Sequence, residues 1–134
     1  MPQHLYFALD LHDDPMLIAE YERWHQPDNI WPEIVASMTR PGIIDVEVFR
    51  TGNRLLLVMH TTEDFSAADK AASDAANPRV QDWETLMWTF QKALPCAKSG
   101  EKWVPMHRIF SLSQARDTAA GSRQTPRPDP ATQP

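Results

Sequence analysis

Ile43-Ile44-Asp45-Val46-Glu47-Val48-Phe49-Arg50-Thr51-Gly52-Asn53-Arg54-Leu55-Leu56-Leu57-Val58-Met59 carries the pattern that decides the fold. Ile44, Val46 and Val48 alternate with Asp45, Glu47 and Phe49, the period of two that places one set of side chains on one face of a strand. Thr51-Gly52-Asn53 offers turn chemistry, and an apolar run follows at once, so the stretch predicts a β-hairpin. Everything else is arranged around it.

Toward the N-terminus, Leu5-Tyr6-Phe7-Ala8-Leu9-Asp10-Leu11 is short, rich in strand formers and stopped by His12-Asp13-Asp14-Pro15, which predicts a first strand. Asp14 can cap a helix with Pro15 at its first position. Met16, Leu17, Ala19, Glu20, Tyr21 and Trp24 follow at helical spacings to about His25. Gln26-Pro27-Asp28-Asn29 interrupts the pattern, since a proline pushes the preceding residue out of the α region. A second short helix restarts at Pro32 and ends at Thr39-Arg40-Pro41-Gly42.

Toward the C-terminus, Ser66 and Asp69 have capping spacing before an alanine-rich helix that ends near Ala76. Asn77-Pro78 opens another helix, whose stripe is Val80, Trp83, Leu86, Met87 and Phe90. After the loop Pro95–Gly100, Trp103–Phe110 reads as a last strand, placed at an edge or bulge because Pro105 lacks a ladder donor. From Ser113 onward, polar residues, alanines and four prolines replace the apolar pattern, so residues 113–134 are predicted to be a disordered tail and residues 1–112 a single domain.

The order strand, helix, strand, strand, helix, strand is the split βαβ arrangement of ferredoxin-like α+β domains, with a four-stranded antiparallel sheet. Helices cover one face of such a sheet. Strand residues on the other face are still largely apolar or aromatic, which predicts a face-to-face homodimer.

Composition narrows the function. A chain of 134 residues with 42 % apolar and 23 % charged residues is a soluble one-domain protein with no sign of a membrane span. A net charge of −5 without a Lys/Arg cluster disfavours a nucleic-acid partner, which requires a basic stripe, and suits an uncharged ligand. Cys96 is the one cysteine, so no intramolecular disulfide forms, and the N-terminus lacks the charged and apolar regions of a secretory signal. These features predict a cytoplasmic location.

Tyr21 and His25 stand four apart on the first helix, so both side chains share one face, and both exchange protons. Spacing alone is equally satisfied by a tyrosine that packs and a histidine that ends the helix. Their context is more specific. Tyr21-Glu22-Arg23-Trp24-His25, followed by Trp31-Pro32-Glu33, resembles the L-rhamnose mutarotase family, in which a helix with Tyr-x-x-x-His precedes a Trp-Pro-Glu turn. The segments Asn53–Met59, Val80–Met87 and Gly100–Phe110 extend the resemblance over nearly everything before the tail. The chain departs from some members at Trp83-Glu84, where they carry paired tryptophans, and in a longer segment between Met87 and Pro95.

The resemblance implies a dimeric α+β barrel, no metal, no cofactor, and a 6-deoxy-L-hexose substrate, L-rhamnose or L-fucose. It also implies that Tyr21 and His25 are the acid/base groups of anomer exchange. Histidine, with an ordinary pKa of about 6.5, can act in either direction near neutrality, whereas tyrosine at about 10 suits donation or positioning. Trp31, Trp83 and Trp103 are candidates to stack on the apolar face of the sugar, although core packing explains them as well. Glu33 is a candidate to orient a sugar hydroxyl or His25, yet a carboxylate in a first helical turn is favoured by the dipole anyway. Met59 and His60 end one strand and His107 lies in another, so adjacent strands could bring them near the pocket, Met59 as a wall residue.

Two other classes share the fold or the residues. Cofactor-free monooxygenases occupy similar barrels, and a sugar-binding module without catalysis needs only the tryptophan-rich wall. A metal site from His25, His60 and His107 lacks close ligand spacing.

Overall fold

A computed structural model of the chain describes residues 2–40 and 42–121. The hairpin forms as expected: strand β2 (Ile43–Thr51) pairs antiparallel with β3 (Arg54–Thr61), with Val46 opposite Met59 and Val48 opposite Leu57. Thr51 and Arg54 face each other across a two-residue loop, and Gly52 at its first position has φ 56°. That left-handed value is what a tight hairpin turn asks of this position, and glycine meets it without steric cost. A register shift between Ile43 and Asp45 bulges Ile44 outward.

Strand β1 (Gln3–Leu11) lies on the other side of β3, with Leu9 opposite Leu55 and Phe7 opposite Leu57. The turn end is locked to it. Leu11 donates its N–H to the Asn53 carbonyl at 2.7 Å, and the Arg54 guanidinium grips the Asp10 carboxylate at 2.7 and 3.1 Å. The outer position beyond β1 is shared by two short strands, β4 (Gln91–Lys92) and β5 (Val104–Met106). The sheet is therefore antiparallel, ordered β2, β3, β1 and then β4 with β5 beside β1, which is the ferredoxin-like order with its last strand divided.

The last strand is shorter than the sequence pattern predicts. Only Val104–Met106 pairs with β1, Pro105 standing opposite Phe7 on the edge, and His107–Phe110 leave the ladder. β4 has no counterpart in the sequence reading, because two residues at the end of a helical stripe carry no strand signature.

Helix α1 (Pro15–Trp24) starts where Asp14 accepts hydrogen bonds from the N–H groups of Met16 and Leu17. Helix α2 (Pro32–Met38) starts on Pro32 with Trp31 as its cap residue. Pro41, expected to help end it, lies outside the described residues. Helix α3 (Ala67–Ala75) is capped by Ser66, whose hydroxyl accepts from the Asp69 N–H, and α4 (Pro78–Trp88) by Asn77. Leu11, Tyr21, Ile34, Leu55, Val80, Trp83, Met87 and Phe90 form the core between these helices and the sheet.

The segment after residue 111 departs from the expected disorder. Leu112–Gly121 form helix α5, in which no residue is buried; the Ser111 hydroxyl accepts from the Gln114 N–H, and good helix formers such as Leu112, Gln114, Ala115 and Arg116 follow. Local capping and propensity thus produce a helix where composition pointed only to the lack of a core. The rest of the expected tail, residues 122–134, lies outside the described residues.

Alternation gives the two faces of the sheet different surroundings. Val46, Val48, Leu57 and Met59 point to the helices, while Tyr6, Phe49 and Met106, on the opposite face, are 44, 51 and 53 % exposed.

Candidate active site

Between the hairpin and the helices lies a cavity of about 430 Å³. Its floor is the hairpin face Val46, Val48, Leu57 and Met59; its walls are Tyr21 and His25 from α1, Ile34 and Met38 from α2, and Val80, Trp83 and Met87 from α4. Trp103 and Gln91 complete the lining where the outer strands begin. A volume of this order matches a small-molecule site.

Tyr21 and His25 come together as the helical spacing requires, with ring centroids 4.3 Å apart and planes inclined by 37°. His25 follows the last turn of α1, and its ring Nδ1 lies 2.7 Å from the Tyr21 carbonyl oxygen. A carbonyl can only accept, so Nδ1 carries the proton of the neutral imidazole and Nε2 keeps its lone pair. Burial pushes the His25 pKa below its ordinary 6.5, against the smaller raising effect of that hydrogen bond. His25 is therefore a neutral base near pH 7.

Tyr21 is buried and its hydroxyl accepts a hydrogen bond from Gln91 Nε2 at 3.3 Å. Burial raises its pKa to about 12; the Gln91 bond lowers it and the Glu84 charge raises it further, both by less. The phenol thus stays protonated. One of its lone pairs is occupied by Gln91, and its own O–H remains free to donate.

Gln91 itself has its carbonyl oxygen buried and without a hydrogen-bond partner among the described residues. Such an orphaned acceptor costs on the order of 1–3 kcal/mol, so something must offset it.

Trp83 is the wall that connects the aromatic groups. Its ring meets His25 edge-on at 5.6 Å, Trp31 at 5.2 Å and Trp24 at 6.3 Å between centroids. The charged side chains of the lining are internally paired: Lys70 with Asp74 at 2.5 Å, and Glu84 with Lys102 at 2.5 Å. Lys102 is itself largely buried, and desolvation lowers its pKa while Glu84 opposes that shift. A cavity whose charges cancel locally offers nothing to an ionic ligand and suits a neutral, hydroxylated one.

Of the residues singled out in the sequence, Tyr21, His25, Met59, Trp83 and Trp103 line the cavity. Two do not. Trp31 stands behind Trp83 with the Arg79 guanidinium over its ring at 4.1 Å, and Glu33 is exposed, its carboxylate 3.7 Å from Arg79 Nε. The first turn of α2 faces α4 at the surface, which takes Glu33 away from both the cavity and His25. His60 follows Met59 in the strand and so points to the opposite face, stacked on His4 at 4.2 Å. Among the described residues no three His, Cys, Asp or Glu side chains cluster as metal ligands. Glu84, the position at which the chain departs from some family members, also lines the cavity, as do Gln91, Lys70 and Asp74, which the sequence does not single out because polar residues on an amphipathic helix or just beyond it read as solvent-facing.

Fold and cavity define a ferredoxin-like α+β protein with an imidazole and a phenol side by side in the wall of a largely apolar cavity. The chain belongs to the L-rhamnose mutarotase family, whose family model matches residues 4–112. It is 55 % identical over 120 residues to an L-fucose mutarotase of Xanthomonas campestris pv. campestris, covering 90 % of this chain and 96 % of that one. It is 53 % identical over 101 residues to an L-rhamnose mutarotase of Acidiphilium cryptum, covering 74 % and 89 % respectively. The crystal structure of an L-rhamnose mutarotase from Formosa agariphila superposes with a TM-score of 0.58 at 19 % identity, over 82 % of this chain and 98 % of that one, and so shares the fold.

Proposed function

We propose that the protein is an isomerase that interconverts the α and β anomers of a 6-deoxy-L-hexopyranose, L-fucose or L-rhamnose, with His25 and Tyr21 as its proton-transfer pair. The observation that carries this reading is the pairing of the His25 and Tyr21 rings, 4.3 Å apart in the wall of one cavity, with His25 Nδ1 held 2.7 Å from the Tyr21 carbonyl oxygen so that Nε2 is left as the acceptor. Its family membership and the named activities of the two bacterial relatives support the same reaction.

His25 Nε2 removes the proton of the anomeric hydroxyl as the C1–ring oxygen bond breaks, and Tyr21 O–H delivers a proton to the departing ring oxygen. The open aldehyde turns about C1–C2. Reclosure returns both protons, one from the imidazolium to the new anomeric hydroxyl and one from the ring-forming hydroxyl to the phenolate. Charge appears only as an adjacent imidazolium–phenolate pair, so the chamber never holds an unbalanced charge, which its low polarity would penalise. Neither a metal nor a redox cofactor enters this scheme.

The pH profile tests the assignment of His25 as base. Anomer exchange, read by saturation transfer between the two anomeric proton signals, should hold level through neutrality and fall on the acid side with a midpoint below 6.5, since protonation of His25 removes the acceptor. With Tyr21 held protonated up to about pH 12, it should add no alkaline limb below about pH 11. A midpoint above 6.5 would exclude His25 as the base.

The same reading includes a homodimer formed through the free face of the sheet and a cytoplasmic location. Tyr6, Phe49 and Met106 give that face the apolar side chains a second copy would cover. No helix among the described residues is long and apolar enough to cross a membrane. Phe49→Asp should convert a species of twice the chain mass to one of single mass in sedimentation equilibrium, whereas single mass for the unaltered protein would remove the dimer from this account.

A further inference from the structure

We propose that Glu84 is a substrate-binding residue: its carboxylate, held in place by Lys102, accepts a hydrogen bond from a ring hydroxyl of the sugar other than the anomeric one. This rests on the reading of the cavity as a sugar site.

The floor of the cavity is apolar, yet α3 and α4 bring the charged side chains Lys70, Asp74 and Glu84 to its lining. Taking charges out of water is costly, and pairing them offsets only part of that cost. A hydroxylated occupant gives such groups a use, since each ring hydroxyl donates one hydrogen bond and accepts others.

Glu84 has acceptor capacity to spare. Its Oε2 lies 2.5 Å from Lys102 Nζ, and no other ion pair or hydrogen bond engages the carboxylate among the described residues. The side chain is 40 % exposed, so a ligand can reach it. Its charge is also felt at the Tyr21 hydroxyl, where it opposes ionisation, so the carboxylate acts on the space that Tyr21 faces.

The carboxylate is oriented in advance. Lys102, with its side chain only 10 % exposed, also brings Nζ within 3.4 Å of the Glu84 carbonyl oxygen and 4.6 Å of the centre of the Trp88 ring. A side chain held from its partner in this way gives up little rotamer freedom when a ligand arrives. A pyranose with C1 at His25 and Tyr21 turns its remaining hydroxyls to the other walls, and Glu84 offers one of them a charged acceptor.

The test pairs a variant with a set of sugars. Exchange rates of the better substrate of L-fucose and L-rhamnose, and of its 2-deoxy, 3-deoxy and 4-deoxy analogues, are measured for the unaltered protein and for Glu84→Met, which removes the carboxylate. A hydrogen bond to a charged group contributes on the order of 10- to 100-fold in binding, so KM for the parent sugar should rise by that factor. The rate at saturation should change little, because the contact is made alike in the ground and transition states. For the one analogue that lacks the partner hydroxyl, the ratio of the two proteins' KM values should return to about one. An unchanged KM, or an equal ratio for all four sugars, would overturn the proposal. Should Glu84→Met not fold, the double variant Glu84→Met/Lys102→Met removes the unpaired ammonium as well and is read by the same ratio. If the unaltered protein exchanges the anomers of neither L-fucose nor L-rhamnose, the sugar-site reading fails, and this inference with it.

Discussion

His25→Ala should lower the anomer exchange rate by about 10²- to 10⁴-fold, the range that a positioned acid or base supplies, while the protein remains folded and still binds sugar. The residue is well suited to such a test. His25 lies just past the end of α1, so its backbone N–H bonds to the preceding turn survive the substitution and no core residue of the sheet is touched. What disappears is the imidazole whose Nδ1 is anchored on the Tyr21 carbonyl at 2.7 Å. The alanine variant loses the lone pair together with the ring contacts to Tyr21 and Trp83, and because the base acts only in the proton transfer the effect should fall on kcat more than on KM. Added imidazole should restore part of the rate if the missing group is a base. An unchanged exchange rate in His25→Ala would transfer the chemistry to another residue and leave family membership untouched.

The same variant carries a sign for stability. A histidine whose pKa is lower in the folded state binds its proton more tightly when unfolded, so its contribution is intact above about pH 6.5, the unfolded value, and declines as pH falls through the lower folded value. His25→Ala should therefore lose less stability than the unaltered protein when both are unfolded in urea at pH 7 and again at pH 5.

The hairpin was legible because its determinants are local. Alternation along Asp45–Phe49 and a glycine at the turn fix pairing and face before any tertiary contact is considered, and the register of Val46 with Met59 follows, whereas Ile44, expected on the face of Val46 and Val48, is displaced by the bulge. Caps were legible for the same reason: Asp14, Ser66 and Asn77 each accept a backbone N–H at the start of the helix they were expected to open. The meeting of Tyr21 and His25 is also a local consequence, since four residues of helix make one turn.

What the sequence did not reveal depends on long-range geometry. Whether a tryptophan beside Trp83 faces the cavity or stands behind it is decided by the angle between α2 and α4, and Trp31 falls on the far side. Glu33 is drawn out to Arg79 by that same packing. Gln91 is the plainest case: one polar residue after an apolar stripe looks like the return to solvent, yet pairing with Leu11 turns it inward against Tyr21. Its only local signal is its place immediately after Phe90, within the span where the helical stripe ends.

Trp83→Ala should cost about 3–5 kcal/mol of folding free energy, which is a large share of the roughly 5–15 kcal/mol available to a typical domain. The side chain is 5 % exposed and sits where α1, α2 and α4 converge, against Trp24, His25 and Trp31. Its removal takes away the edge-on contacts of three rings at once, and the surrounding aromatics are too rigid to collapse into the space. The urea midpoint at pH 7 should drop with little change in slope, because the unfolded chain exposes nearly the same surface. Trp83→Phe, which keeps a ring against His25, should recover more than half of that loss. The substitution also enlarges the cavity beside His25, so the portion of Trp83→Ala that remains folded at low temperature should show a raised KM, as a sugar loses an apolar wall to lie against. If Trp83→Ala unfolds at the same urea concentration as the unaltered protein, the helices do not meet on this ring, and the wall of the proposed active site is drawn in the wrong place.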